Sequence, residues 1–324
     1  MPKITLSNGV EFECSSDQSI VDAARKNKVA IEHSCKSGRC GVCISPVLSG
    51  KSTALIHETA LNAQEASEGK ILTCCRAPLS DIYLDIQDLG EIGKLPTLTL
   101  PCRIDSIKLF NQNVIQIILR LPPNSNFRYI PGQYIDLILE GTRRSYSIAN
   151  APRKDGKLEL HIKKFEDGFM SKYLFNEAKE NDLLRLEGPL GTFSYREDNS
   201  EDIALIATGT GIAPIKAILE SFDTKKIKKN IYVIWGAKYS KDLYLNLKST
   251  NVKLKFVAAL SQEKINDCFN GYVQDALLNL GLNLDNTTVY ACGSETMIKS
   301  ASELLIDNGL HFKRFYSDAF VSSH

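Results

Sequence analysis

Apolar and polar residues alternate from Ile4 to Phe12 around Asn8-Gly9, a pattern that predicts a β-hairpin closed by a tight turn. A helix is expected over Ser19 to Lys26, opened by Asp17 and carrying Ile20, Ala23 and Ala24 on its apolar side. A strand is expected over 81–86, DIYLDI, with Ile82, Leu84 and Ile86 on one face. Residues 91–97 carry little periodic apolar signal and end in Pro96-Thr97, so they read as a linker between a first module at 1–90 and the remainder of the chain.

Over 98–196 come short β-rich runs, among them NVIQIILRL, QYIDLIL, KLELHIKKF and LLRLEGP. Pro-Pro, Pro-Gly and Asp-Gly turns punctuate them, with one helical stretch, SKYLFNEAK, and the pattern predicts an antiparallel β-barrel. Over 197–324 the pattern changes to apolar strands (DIALIAT, IYVIWGA, KLKFVAAL, TVYACG) alternating with amphipathic helices (APIKAILESF, ETMIKSASELLIDNG). That alternation predicts an α/β domain built on a parallel sheet, with sites at the strand ends.

At 324 residues the chain exceeds the ~250–300 that one core serves, in keeping with a multidomain protein. Basic and acidic residues balance at 39 and 38 with no long block of one sign, which argues against nucleic acid or a charged membrane as partner; Lys225, Lys226, Lys228 and Lys229 read as a solvated face. No apolar run approaches the ~18 residues of a membrane span, and the N-terminal alternation is unlike a signal peptide. A cytoplasmic protein without membrane insertion is expected.

The nine cysteines are clustered, which fits a metal or cofactor role in a reducing compartment better than a disulfide framework. Cys35, Cys40 and Cys43 are spaced C-x4-C-x2-C, and Cys74 and Cys75 lie about thirty residues on. Four thiolates are what two tetrahedral irons need once two sulfides bridge them. Gly38 and Gly41 suit a loop that must wrap such a cluster closely. A structural zinc site is the alternative, but it favours two close CxxC pairs, and only Cys40 and Cys43 form one. His33 reads as a packing residue, and Cys14, Cys102 and Cys268 as small buried apolar ones.

The runs SCKSGRCGVC and LTCCRAPLSD resemble the plant-type ferredoxin domain, an α+β (β-grasp) fold that binds a 2Fe-2S cluster. Matching Leu72, Thr73, Pro78, Ser80 and Asp81 to its terminal motif selects Cys74 as fourth ligand beside Cys35, Cys40 and Cys43, with Cys75 as the alternative.

The run RRSYSIANAP, with PGQY, GFMS at 168–171 and GPLGTF at 188–193, resembles the FAD-binding barrel of the ferredoxin-NADP reductase family. Arg144 suits pyrophosphate, Tyr146 offers a flat ring beside the isoalloxazine, and Ser147 offers a hydroxyl to the reactive edge of the flavin. Gly168 to Ser171 precede a helix whose N–H groups favour phosphate. ATGTGIAPIKAIL and YACGSETM resemble that family's nicotinamide domain. The resemblance places Thr208, Gly209, Thr210, Gly211 and Pro214 at the dinucleotide phosphates and Cys292 with Gly293 over the nicotinamide. Ser147 and Cys292 are the residues it sets beside the reacting atoms. In the tail, Tyr316 or Phe320 either lies against the flavin or nicotinamide or belongs to a strand packed on the sheet.

The whole chain is thus similar to single-chain ferredoxin plus ferredoxin-NADP-reductase-like flavoproteins. The resemblance implies an NAD(P)H:acceptor oxidoreductase passing electrons through FAD and the cluster to a partner enzyme. After IYVIWGA, KYSKDLY lacks paired arginines for a 2′-phosphate, which favours NADH, while Lys238 and Lys241 leave NADPH open. Two subfamilies share this order: reductases serving a pyridoxamine-phosphate-dependent (PMP-dependent) dehydrase in 3,6-dideoxysugar synthesis, and reductase components of multicomponent oxygenases. LTCC, SDIYLD, GQYIDLIL, RLEGP, VYACGS and FYSDAFV look most like the first. A non-catalytic redox-sensing or metal-binding protein is the reading from another class.

Overall fold

The structure, a computed structural model, describes residues 1–224, 227–247 and 252–320. Two compact units result: residues 1–96 with returns at 191–193 and from 319, and residues 97–190 with 194–318. Lys225 and Lys226 lie outside the described residues. Of their neighbours, Lys228 is exposed, whereas Lys229 is half-buried and paired with Asp198.

In the first unit β1 (Lys3–Leu6) and β2 (Glu11–Glu13) form the expected hairpin, with Ile4 opposite Phe12. Helix α1 (Ile20–Lys26) comes next. Its cap is Ser19, whose hydroxyl accepts from the Asp22 N–H at 3.1 Å. Asp17 stands too far before the first turn to reach those amides and accepts from the Ser15 hydroxyl instead. Then come β3 (Ile44–Ser49), β4 (Ser52–Ala54), α2 (Ala63–Ser67), β5 (Lys70–Leu72), β6 (Arg76–Pro78) and β7 (Ile82–Leu84). The sheet runs β2-β1-β7-β3-β5, with β1 and β7 parallel. Ile4, Leu6, Ile20, Ala24, Leu72, Ile82 and Leu84 share its core, with Ile86 packed at the margin. A short helix, α3 (Glu91–Lys94), occupies the segment read as linker. That segment is docked, for a Cβ on Gly93 would overlap the Lys28 carbonyl.

The second unit opens with β8 (Leu98–Asn111), β9 (Val114–Arg120), β10 (Tyr134–Leu139), β11 (Thr142–Ser147), β12 (Leu158–Lys163), α4 (Phe169–Asn176) and β13 (Leu183–Leu190). The strands pair antiparallel in the order β11-β10-β13-β8-β9-β12, and a bridge between Ile148 and Leu160 joins the two ends into a barrel. Period-two burial explains it: Ile115, Ile117, Leu119, Ile135, Leu137, Leu158, Leu160, Leu184 and Leu186 all enter one core.

The remaining elements are β14 (Asp202–Thr208), α5 (Ile212–Phe222), β15 (Asn230–Ala237), β16 (Leu254–Leu260), β17 (Phe269–Asn270), α6 (Val273–Leu278), β18 (Thr287–Ser294), α7 (Glu295–Asp307) and β19 (Phe315–Phe320). Their order is β17-β16-β15-β14-β18-β19, with β14 parallel to both β15 and β18. The chain moves outward from β14 to β16 and then returns to β18, so the topological switch lies between β14 and β18. Residues 203–207, all buried, make β14 the central strand. The three expected fold classes are therefore those observed. Cys14 and Cys102 are buried as expected; Cys268 is only half-buried, in the turn before β17. Among the described residues no helix is long and apolar enough to cross a membrane.

Candidate functional site

The cysteine loop runs between α1 and β3, and Gly38 (φ +74°) and Gly41 (φ +77°) turn it back on itself. At Gly38 a Cβ would overlap both the His57 carbonyl and the Cys75 sulfur, so the loop presses against the segment that carries the later cysteines. The thiols stand as two pairs. Cys35 is hydrogen-bonded to Cys40, and Cys43 Sγ lies 3.1 Å from Cys74 Sγ. Among the described residues no three metal-binding side chains converge on one point. Two dithiol pairs match the demand of two irons bridged by sulfide, each needing two protein ligands, better than that of one zinc ion.

Cys74 and Cys75 differ in setting. Cys74 is lowered to about 7, first by its hydrogen bond with Cys43, and the Gly38 N–H also donates to it. Burial instead pushes Cys75 up to about 12. The hydrogen bond with Cys40, and after it those from Ser37 and the Arg39 amide, outweigh burial at Cys35 and favour a thiolate there. Sequence reasoning missed Glu58: its carboxylate grips the Arg76 guanidinium at 2.7 and 3.0 Å and accepts the Leu72 N–H at 3.2 Å, bracketing Cys74-Cys75. Its eighteen-residue separation from Arg76 left no local signal. His33 is a packing residue, its ring bonded to the Ile31 carbonyl at 2.8 Å and its basicity lowered to about 4 by burial.

In the barrel, the two arginines of RRSYS do different things. Arg143 is committed to Asp136 and Glu187, each at 3.0 Å. Arg144 is half-buried and its guanidinium donates to the Arg143 carbonyl at 2.8 Å. Tyr146, two residues along β11, shares the Arg144 face, while Ser147 ends the strand buried on the other. Helix α4 packs against β11. Its cap is Gly168, which supplies no side-chain bond to the first-turn amides, and Ser171 in that turn accepts the Phe165 N–H at 2.7 Å. A half-buried guanidinium, a flat ring and a helix start grouped about one strand suit a flavin and its pyrophosphate.

At the switch point, Thr208 ends β14, Gly209, Thr210 and Gly211 form a 3-10 turn, and Pro214 sits in the first turn of α5, where no N–H is missed. The turn touches the end of β18 twice: a Cβ on Gly211 would overlap the Cys292 carbonyl, and one on Gly293 (φ +155°) would overlap the Thr208 hydroxyl. Both predicted glycine loops thus meet across the crevice where dinucleotides bind. Trp235 on β15, missed from sequence, donates its indole N–H to the Gly209 carbonyl at 3.0 Å. Cys292 is fully buried and its thiol is pushed well up by that burial. Tyr316 sits with its ring 4.1 Å from the Arg196 guanidinium and 5.2 Å from the Tyr290 ring, while β19 joins the sheet beside β18. Phe320, at the end of that strand, is exposed.

Three families match in the same order: the 2Fe-2S iron-sulfur cluster binding domain over 4–79, the oxidoreductase FAD-binding domain over 101–195 and the oxidoreductase NAD-binding domain over 205–303. Fold and site together define an iron-sulfur flavoprotein oxidoreductase. The CDP-6-deoxy-L-threo-D-glycero-4-hexulose-3-dehydrase reductase of Yersinia pestis is 39% identical over 98% of this chain and 97% of its own length. Reductase component 1 of terephthalate 1,2-dioxygenase from Comamonas sp is 29% identical over 97% and 95%. The solved cytochrome P450 reductase of Amycolatopsis covers 99% of both chains at 25% identity and a TM-score of 0.77. The chain belongs to the single-chain ferredoxin plus ferredoxin-NADP-reductase-like family that includes the dehydrase reductases. It carries electrons from a nicotinamide coenzyme through FAD to a 2Fe-2S cluster.

Proposed function

We propose that the acceptor is the PMP-dependent dehydrase of 3,6-dideoxysugar synthesis. The observation that carries this is the full-length 39% identity to a reductase named for such a dehydrase. The second reading, a reductase component of an oxygenase, draws on the full-length 29% match. Anaerobic NADH oxidation measured against each purified partner tests the choice. Dependence of sugar deoxygenation on this chain supports the first, and turnover only with an oxygenase overturns it.

In this reading the working modules are residues 1–90, 98–196 and 197–324. When bound, FAD takes a hydride and gives up electrons singly, and the cluster carries them one at a time. Cys35, Cys40, Cys43 and Cys74 hold the cluster, and Cys75 backs the loop at Gly38. Arg144, Gly168 and Ser171 serve the flavin phosphates, Tyr146 lies beside the ring, and Ser147 faces its reactive edge. Thr208, Gly209, Thr210, Gly211 and Pro214 take the dinucleotide phosphates, and Cys292 with Gly293 shapes the nicotinamide space. The full burial of Cys292 supports a space-filling role without proton transfer. NADH is the preferred coenzyme. At the ends of β15 and β16 the Glu263 carboxylate accepts the Ser240 N–H at 2.5 Å, and a carboxylate there disfavours a 2′-phosphate. Lys241 is turned over the Tyr239 ring at 5.4 Å.

A further inference from the structure

Helix α5 begins at the dinucleotide turn, and one face of it grips the chain that leaves β11. Lys216 Nζ donates to the Ala149 carbonyl at 3.0 Å, two residues beyond Ser147. One turn further on, Glu220 accepts the Ala151 N–H at 3.0 Å and the Lys216 ammonium at 2.6 Å. The segment being gripped is itself rigid. Asn150 is fully buried, accepting the Glu159 N–H at 2.7 Å and donating to the Ala151 carbonyl and the Tyr129 hydroxyl at 2.8 and 3.1 Å.

The Lys216 ammonium also reaches Glu159 on β12. That carboxylate, 3% exposed, takes four donors: Gln116 and His161 on one oxygen, each at 2.8 Å, and Arg153 and Lys216 on the other at 2.7 and 3.2 Å. With its charge fully compensated, a buried carboxylate of this kind has one low-energy arrangement and resists displacement. The other ring nitrogen of His161 accepts from the Tyr244 hydroxyl at 3.3 Å. Tyr244 stacks on Phe110 of β8 and meets Trp235 edge-on, both at 5.1 Å between centroids. Trp235 holds the Gly209 carbonyl of the same dinucleotide turn. The contacts form a closed circuit, from the turn through Trp235, Tyr244, His161, Glu159 and Lys216 back to the helix that the turn begins.

We infer that Lys216, Glu220 and Glu159 are positioning residues for hydride transfer, fixing the dinucleotide turn against the strand that ends in Ser147. The inference rests on the assignment of the flavin edge to Ser147 and of the phosphates to the Gly209 turn. Hydride transfer needs the donor and acceptor atoms in near-attack geometry, where a displacement of about 1 Å costs up to a hundredfold. A link made of charged, fully bonded groups between these two segments supplies that constraint without touching the reacting atoms.

The test is Lys216→Met in the holoprotein, with Lys216→Arg as the conservative control, read by anaerobic stopped-flow of flavin reduction at saturating NADH. The expected result is a limiting reduction rate lower by about tenfold or more in the Met variant, with flavin content and NADH dissociation constant within about twofold of wild type, and recovery of most of the rate by arginine. Faster deuterium exchange at the amides of residues 209–211 in Lys216→Met is the expected signature independent of turnover. An unchanged limiting rate, or a fall matched by lost flavin and not restored by arginine, overturns the positioning role. If Lys216→Met does not fold, Glu159→Asp shortens the same link by one methylene, and an unchanged rate there is equally fatal. A wild-type holoprotein whose flavin NADH fails to reduce would instead overturn the underlying site assignment, and this inference with it.

Discussion

Gly211 lies against the backbone of Cys292 so closely that a Cβ would overlap the Cys292 carbonyl oxygen. Its φ of −58° is ordinary helical geometry, so space, not backbone freedom, demands glycine here. Gly211→Ala must therefore push the dinucleotide turn away from β18. The expected outcome is NADH binding weaker by about tenfold, with FAD content unchanged because the barrel residues are untouched. Titration of the flavin spectrum with NADH under anaerobic conditions checks it, and wild-type affinity would remove this contact from the coenzyme site.

The adjacent arginines of β11 make a paired prediction. Arg143 is neutralised by Asp136 and Glu187, whereas Arg144 is half-buried on the Tyr146 face of β11 and donates to the Arg143 carbonyl. Arg144→Ala is expected to lose most of its FAD during gel filtration, since one phosphate contact of charge-assisted strength is gone. Arg143→Ala is expected to keep it. The ratio of absorbance at 450 nm to protein reads both, and the opposite pattern would exchange the roles.

How much of the fold and site is legible in the sequence depends on the range of the signal. The barrel and the parallel sheet are readable because burial follows period two in Ile115, Ile117 and Leu119 and a continuous apolar run at 203–207. The cluster loop and the glycine turns are readable because their residues lie close in sequence. What escapes is tertiary: Glu58 with Arg76, and Lys216 with Ala149 and Glu159, join residues 18, 67 and 57 apart. The helix start is ambiguous because Asp17 and Ser19 are both good caps, and only Ser19 stands at the right distance from Asp22 N–H. The segment at 91–97 looks like a linker because docking through a glycine, as Gly93 does on Lys28, leaves no apolar trace.

The thiol pairs give the adjacent cysteines opposite outcomes. Cys74 lies 3.1 Å from Cys43 and receives the Gly38 amide, while Cys75 backs the loop. Cys74→Ser is expected to lose cluster iron, and Cys75→Ser to retain it. Cys40→Ser is expected to abolish reduction of the protein acceptor while NADH-to-ferricyanide activity stays within about twofold, because flavin alone can feed that dye. Iron analysis and visible circular dichroism of anaerobic preparations decide the first pair. Loss of iron in Cys75→Ser would move the fourth ligand by one residue.

The acid limit of the nicotinamide domain should be set in part by Asp198. Burial alone would raise its carboxyl, but hydrogen bonds from Lys229, Ser200 and Thr288 outweigh that and lower it from 3.8 to about 2. A depressed folded value means stability that is fully present above the unfolded value and is lost as pH falls through the folded one. The window is therefore pH 4 down to 2, and the contribution at neutral pH is about 2 kcal/mol. Asp198→Asn is expected to lower the thermal midpoint at pH 7 by a few degrees, with the gap to wild type narrowing steadily as the pH drops below 4. Thermal scans of both proteins across that range measure it. A gap that stays constant down to the lowest pH at which both fold would mean that the ionised form of Asp198 contributes nothing beyond its shape.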